Sequence, residues 1–386
     1  MHLILFDNIS PNAIYPFSST RPVAHLRIGI RTISEKWADA LKIEPRVLSA
    51  GYITPQQINL SGEAIVINAT IIPDEEFVDH AKRLSVSEAL ISNNMVLAGN
   101  MEWNPDLTRN DITPKSFKKH IPYNIPFTEL KHAWQIFQNN EKALRFDFKS
   151  ITTNRNSKPL SPTNFVRNPS NIFMEEGAMV EHAYLNANAG PIYIGKNAEI
   201  MEGAMIRGPF AVGESGIVKM GSRIYGATTI GPYSVAGGEI KNSVIMAYSN
   251  KGHEGYLGDS VIGEWCNIGA GTSNSNLKNT GSQINAGGGR GTLLGSPGIK
   301  CGLIMGDYTR CAINSSFNTA TIVGIGSNIF GTGFAPNFIP DFTWGFTGKY
   351  EFEKALEHIA NWKKLKNHSL SSSEVKILEH LYKQSD

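Results

Sequence analysis

Residues 251–259 read Lys251-Gly-His253-Glu-Gly-Tyr256-Leu-Gly-Asp259. A histidine among glycines lacks aliphatic neighbours that would bury it, and the glycines let a ligand or another backbone approach closely. An imidazole with an unperturbed pKa near ~6.5 suits a general base at neutral pH. On residue type alone, an incidental surface histidine is the competing reading. Two cations precede it, Arg223 and Lys241. Either could neutralise a phosphate, the arginine bidentately. Taken by themselves, both read more simply as solvated surface charge.

The elements that would hold these residues follow from an internal repeat. From Ile194 an aliphatic residue recurs every six positions, through Ile200, Ile206, Val212, Val218, Ile224 and Ile230. Four residues after each come Ala198, Ala204, Phe210, Gly216, Ser222, Thr228 and Ser234, nearly all small. A further run reads Met305, Cys311, Phe317, Val323 and Ile329. Each hexad predicts one short strand and one turn, and three hexads make a triangular coil of ~18 residues. The aliphatic residue fills the prism, and the small one fits the corner. A β-sandwich would alternate with period two and carry irregular loops. The phase slips near Ala236–Glu239, and two stretches break the pattern: Met246–Tyr256 and the Gly-rich Ser273–Ile299. Both are expected as loops thrown out of the prism, where function commonly resides.

Outside the prism the signals differ. Leu3–Phe6 and Glu63–Ile67 predict buried strands. Ile28–Leu41 and Phe77–Leu90 predict helices, and Phe127–Phe137 has helical spacing. This mixture implies an α/β domain over 1–160, with the polar stretch Thr152–Asn168 as a linker. The prism is expected over 161–348. A helical tail is expected over 349–386, with Glu351–Lys366 as one helix and a capping box at Ser371–Glu374 opening another. These helices are expected to cover the open end of the prism or a neighbouring subunit.

Composition narrows the classes. The 386 residues hold 36 Lys+Arg and 34 Asp+Glu, a net charge of +2, which supplies no basic field for nucleic acid. Three cysteines without CxxC spacing predict reduced thiols. No apolar stretch approaches the ~20 residues of a membrane span, and the start lacks a signal-peptide pattern, so a cytoplasmic location is expected. A β-helix metalloenzyme of the γ-carbonic-anhydrase kind would need three histidines across coils. The prism offers His182 and His253.

The segment GHEGYLGDSVIGEWCNIGAGT resembles the acetyltransferase half of the GlmU-like bifunctional family, which joins N-acetylglucosamine-1-phosphate uridylyltransferase to glucosamine-1-phosphate acetyltransferase. LRIGIRTISEKW, GPIYIG, AEIMEGAMIRGPF, YSNKGH, SNLKN and LIMGDYT extend the likeness along nearly the whole chain, most closely to a shorter, alternative branch. The resemblance implies a nucleotidyltransferase-like α/β domain followed by a left-handed parallel β-helix. It also implies a homotrimer with the acyl site between subunits, and acetyl-CoA as co-substrate. His253 matches the family's catalytic base. Arg223, Lys241, Tyr256, Asn267 and Asn276 match positions that hold the sugar phosphate. Leu277 departs from the family's tyrosine.

The first domain resembles sugar-phosphate nucleotidyltransferases, whose opening strand leads into a Gly-rich, phosphate-cradling turn. Here that turn is replaced by Asp7-Asn-Ile-Ser-Pro-Asn12, and Val23 follows Pro22 where the family has a lysine. Arg21, Arg27 and Asn68 are the remaining candidates for a nucleotide such as UTP, and Asp7 and Asp74 for Mg2+. The expected function is sugar-phosphate acyl transfer, with or without nucleotidyl transfer. The alternatives are a nucleotidyltransferase on a scaffold prism, or a non-catalytic sugar-nucleotide sensor.

Overall fold

The computed structural model describes residues 1–7, 13–54, 57–287 and 293–385. It separates into two compact units, one of residues 1–26 and 31–131, the other of 27–30 and 132–386. The helix Asn140–Thr152 therefore groups with the prism, although the expected boundary lay at residue 160.

The first unit is built on a mixed sheet of six strands: β1 (His2–Phe6), β2 (Pro45–Leu48), β3 (Gly62–Asn68), β4 (Glu88–Ser92), β5 (Met95–Trp103) and β6 (Lys119–Pro122). The order across the sheet is β2-β1-β3-β5-β4-β6. The first three are parallel, and the apolar runs of β1 and β3 fit strands covered on both faces. Helix α1 spans Ile33–Leu41 rather than starting at Ile28. Thr32 accepts from the Glu35 N–H, and Glu35 accepts in return from the Thr32 N–H. This capping box overrides the apolar spacing upstream. Helix α2 spans Glu75–Lys82, and Glu88–Ser92 is strand rather than helix. The helical spacing at Phe127–Phe137 resolves into a two-residue strand, Thr128–Glu129, and one helical turn, Gln135–Gln138.

In the second unit three parallel sheets form a left-handed β-helix. The first face includes Arg223–Tyr225, Glu239–Lys241 and Tyr256–Gly258; the second includes Ile192–Ile194 and Phe210–Val212; the third includes Val235–Ala236, Asn250–Lys251 and Asn267–Ile268. All seven aliphatic residues of the first hexad run are buried. Corner hydroxyls bond carbonyls of the adjoining coil: Ser234 donates to Met246 at 2.6 Å and Thr309 to Gly324 at 2.6 Å.

The phase slip has a structural cause. From Ile192 the coils repeat every eighteen residues, as in Ile192 pairing Phe210 and Phe210 pairing Thr228, but Val235 pairs Asn250, fifteen on, and Asn250 pairs Asn267, seventeen on. Met246–Tyr256 is therefore a shortened coil, not an excursion, because its strand Asn250–Lys251 stays in the third face. The pattern was hidden because Lys251 takes the interior position where an aliphatic residue was expected. The second break does leave the prism, as an antiparallel hairpin of Ile284–Gly287 and Leu293–Gly298.

Besides the short turn Gln135–Gln138, three longer helices pack in this unit among the described residues. Helix α3 (Asn140–Thr152) packs Leu144 and Ile151 on Ala211 and Ala227 of the second face, and Asn140 donates to the Ala227 carbonyl at 2.9 Å. The polar stretch beyond it is laid against the first coil, with the Lys158 N–H donating to Met174 at 2.9 Å. Helices α4 (Phe352–Lys364) and α5 (Ser372–Gln384) follow the last coil. Phe342 of that coil meets Phe352 and Tyr382 edge-on. Helix α4 then runs back along the third face, where Arg310 lies 5.3 Å from the Trp362 ring. All three cysteines are free and buried.

The interior column sets the cost of core damage. Ile240 is fully buried between Ile224 and Leu257. Ile240→Ala should lower unfolding stability by about 3 kcal/mol, read as a lower urea midpoint with an unchanged slope.

Candidate functional site

The expected acyl-site residues gather around one corner of the prism. On the first face the register aligns Arg223 with Glu239 and Tyr256, and Tyr225 with Lys241 and Gly258. The Tyr225 hydroxyl donates to Glu239 at 2.7 Å, and the Lys241 ammonium stands 5.8 Å from the Tyr225 ring centre. Among the described residues no carboxylate pairs with Lys241. Arg223 donates to Glu254 at 2.8 Å, tying the first face to the turn that carries His253.

Tyr256 folds back over Gly258, where a Cβ would lie 2.2 Å from the phenol oxygen, so a larger residue there would displace the tyrosine ring. Asn276 donates to the Tyr256 oxygen at 3.1 Å and also to Asp259. Asn242 donates to the other Asp259 oxygen at 2.6 Å. Burial, with Asp259 nearby, pushes the Tyr256 phenol up to about 12, so it stays a neutral donor. Asp259 and Asn242 were not singled out by the sequence. The signal for Asp259 was its place at the end of the GYLGD run. Leu277 is exposed and adds no polar group.

Around the corner, on the third face, lies a mostly apolar groove of about 650 Å³. His253 and Asn267 line it, with Ile268 and Ala270 from the prism, Trp362 from α4 and Leu365 just beyond the end of that helix. Lys366 anchors the end of that helix by donating to the Tyr233 carbonyl at 2.7 Å and to Asn250 at 3.1 Å. The His253 side chain is exposed and has no partner among the described residues. The structure thus brings Arg223, Lys241, Tyr256 and Asn276 together on one face. It sets Asn267 on the next, with His253 at the corner between them. Trp362 and Leu365 were missed because a helix spacing does not say which surface the helix will cover.

The first-unit candidates are dispersed. Asp7 sits at the carboxyl end of β1, where Ser49 and Asn68 end the flanking strands or follow them. One Asp7 oxygen accepts from the Val23 N–H at 3.2 Å and from the Ser49 hydroxyl; the other has no partner. Burial pushes this carboxyl up to about 6, against the opposing pull of Ser49, Val23 and Arg109. Asn68 is committed to Thr70, whose N–H donates to it at 3.0 Å. Asp74 caps α2 by accepting from the Phe77 N–H at 3.0 Å. Arg21 lies in the first unit, whereas Arg27 belongs to the second, where it donates to the Ile30 carbonyl. The rest of the expected turn, Asn8–Asn12, lies outside the described residues. Among the described residues no three potential metal ligands cluster, and no helix is long and apolar enough to cross a membrane.

Residues 3–156 match the family described as sugar nucleotidyl transferase. Over 92 residues the chain is 35% identical to the bifunctional sugar-1-phosphate nucleotidylyltransferase/acetyltransferase of Sulfurisphaera tokodaii, covering 24% of this chain and 23% of that protein. Over 90 residues it is 34% identical to the bifunctional protein GlmU of Methanocaldococcus jannaschii, covering 22% and 21%. The chain is GlmU-like. Each of these matches spans less than a quarter of the curated relative's length. The solved Arabidopsis UDP-N-acetylglucosamine acyltransferase overlaps 58% of this chain and 90% of its own at 12% identity, with a TM-score of 0.30, too loose to argue from.

The state of Asp7 is testable. Its folded pKa lies above the unfolded value of 3.8, so between about pH 4 and 6 the folded chain binds more protons and stability falls as pH rises. Asp7→Asn, with its amide nitrogen toward the unpartnered side, should stabilise the protein by roughly 3 kcal/mol at pH 7 and much less at pH 4. Thermal midpoints of both proteins across that range check it.

Proposed function

We propose that this chain transfers an acetyl group from acetyl-CoA to the amine of glucosamine 1-phosphate. The observation that carries the reading is the unpartnered His253 imidazole, set between an apolar groove and a face bearing Lys241 and Arg223. The groove suits the uncharged arm and thioester of the donor. The face suits a sugar phosphate, with Lys241 opposite the phosphate and the Tyr256–Asn276–Asp259 network holding sugar hydroxyls. In the reaction His253 removes a proton from the sugar amine. The freed lone pair forms the new C–N bond at the thioester carbon. The nitrogen of the tetrahedral intermediate sheds its second proton to solvent, and the intermediate collapses with loss of the thiolate, which takes up a proton from the imidazolium, leaving the amide, the free thiol and one released proton.

The family match over residues 3–156 favours a second activity, uridylyl transfer from UTP to the sugar phosphate. Mg2+ in phosphate sites needs one or two carboxylates, the rest of its shell being water and phosphate. Asp7 fits that demand with one bare oxygen, whereas Asp74 is spent on its helix cap. Bound there, the ion would neutralise phosphate charge.

His253→Ala should lower acetyl transfer by at least about 100-fold with the fold intact. Thiol release from acetyl-CoA with glucosamine 1-phosphate measures this, and unchanged turnover would remove the histidine from the chemistry. The exposed Phe165, Tyr184 and Met205 continue the face that holds Arg223 and suit burial against a second copy. Light scattering should give a trimer, and a clean monomer would contradict a site shared between subunits.

A further inference from the structure

The reaction outlined above leaves one charged group inside the prism without a task. Lys251 is 2% exposed. It pairs with Ala236, which continues the apolar column Ile200, Val218, Ala236. A buried cation there is costly compared with an aliphatic residue unless it is fully bonded. Its ammonium donates to the Gly237 carbonyl at 3.0 Å and to the carbonyl of His253. These two carbonyls belong to turns of successive coils at the same corner.

The turn around His253 is held from both sides by backbone. A Cβ on Gly237 would come within 2.5 Å of the Gly252 oxygen, and one on Gly238 within 2.7 Å of the His253 oxygen. On the opposite side, Gly255 has φ +122° and a Cβ there would lie 2.0 Å from the Thr272 oxygen. Side chains cannot enter these contacts, so the turn's height on the prism is set by backbone packing. Lys251 bonds the histidine's own carbonyl from within that clamp.

We propose that Lys251 is a positioning residue for acyl transfer, its ammonium fixing from inside the prism where the His253 imidazole stands. The inference rests on the reading of His253 as the base. Burial pushes the Lys251 ammonium down to about 8; Glu254 and the Cys311 thiol act to raise it and Arg223 to lower it. These groups, with His253 itself, are the titratable and charged neighbours. Above that pH the amine is neutral and its hydrogen bonds lose their charge assistance. Stability moves the other way. The folded pKa lies below the ordinary 10.5, so between about pH 8 and 10.5 the unfolded chain binds more protons, and this group's contribution to stability rises with pH. Activity and stability should therefore diverge above about pH 8, which a general loosening of the fold would not produce.

The test measures kcat and KM for acetyl transfer by the full chain from about pH 6 to 9.5, with the thermal midpoint alongside. The variants are Lys251→Met, Lys251→Arg and, as control, His253→Ala. In the parent protein kcat should fall about tenfold through pH 8, with KM little changed and no matching loss of midpoint. Lys251→Met should show the low kcat at every pH, without the alkaline fall. Lys251→Arg, which keeps its charge, should retain turnover above pH 8. If His253→Ala is inactive while Lys251→Met keeps the parent's kcat and profile, the positioning role is overturned alone. If His253→Ala is active, the reading beneath it fails. Should Lys251→Met not fold, the parent profile decides: a flat kcat through pH 8 overturns the proposal, and a fall at constant midpoint supports it.

Discussion

Coil-on-coil stacking is the constraint from which the rest of this structure follows. Each strand of the prism must hydrogen-bond the strand one coil below and one above, so every turn is placed at a fixed height. Where side chains would intrude, glycine is obligatory: Gly237 and Gly238 lie directly beneath the backbone of Gly252 and His253. A catalytic side chain on such a turn inherits the rigidity of two neighbouring coils rather than the mobility of a loop. The turn is held from inside by the Lys251 ammonium on the Gly237 and His253 carbonyls, and from outside by Arg223 on Glu254.

The same stacking separates the two halves of the proposed chemistry. Residues in register on the first face present cations and a tyrosine, while the third face around the corner is largely apolar. An acyl donor and a phosphorylated acceptor have opposite solvation demands, and a triangular prism meets them on adjoining faces. The tail matters here as a wall. Arg310 under Trp362, and Lys363 over the Trp265 ring at 4.7 Å, hold α4 against the third face. Without that helix the groove would lose one of its sides.

The first unit is organised differently. Its parallel strands β2-β1-β3 bring loop residues to one edge of the sheet, the usual place for a phosphate-bearing ligand in such sheets. The Asp7 carboxyl lies at that edge, half-satisfied and shifted toward its neutral form. Asn68 and Asp74 are absorbed into a turn and a helix cap, which is how short polar side chains commonly satisfy exposed backbone N–H groups.

What the sequence by itself determined was the repeat architecture and most of the residues around the corner. Hexads are legible because the prism interior accepts small or aliphatic side chains at one phase. His253, Tyr256 and Asn276 were legible through a long motif. The capping box at Ser371–Glu374 was also legible, since it depends on four adjacent residues. The shortened coil at Met246–Tyr256 was not, because Lys251 breaks the very signal that marks a coil. Nor could the pattern divide the site between two faces, or place Trp362 beside His253. Those relations join residues more than a hundred positions apart through packing. Periodicity reports which side of an element is apolar, whereas the surface that side will meet is decided when the chain folds.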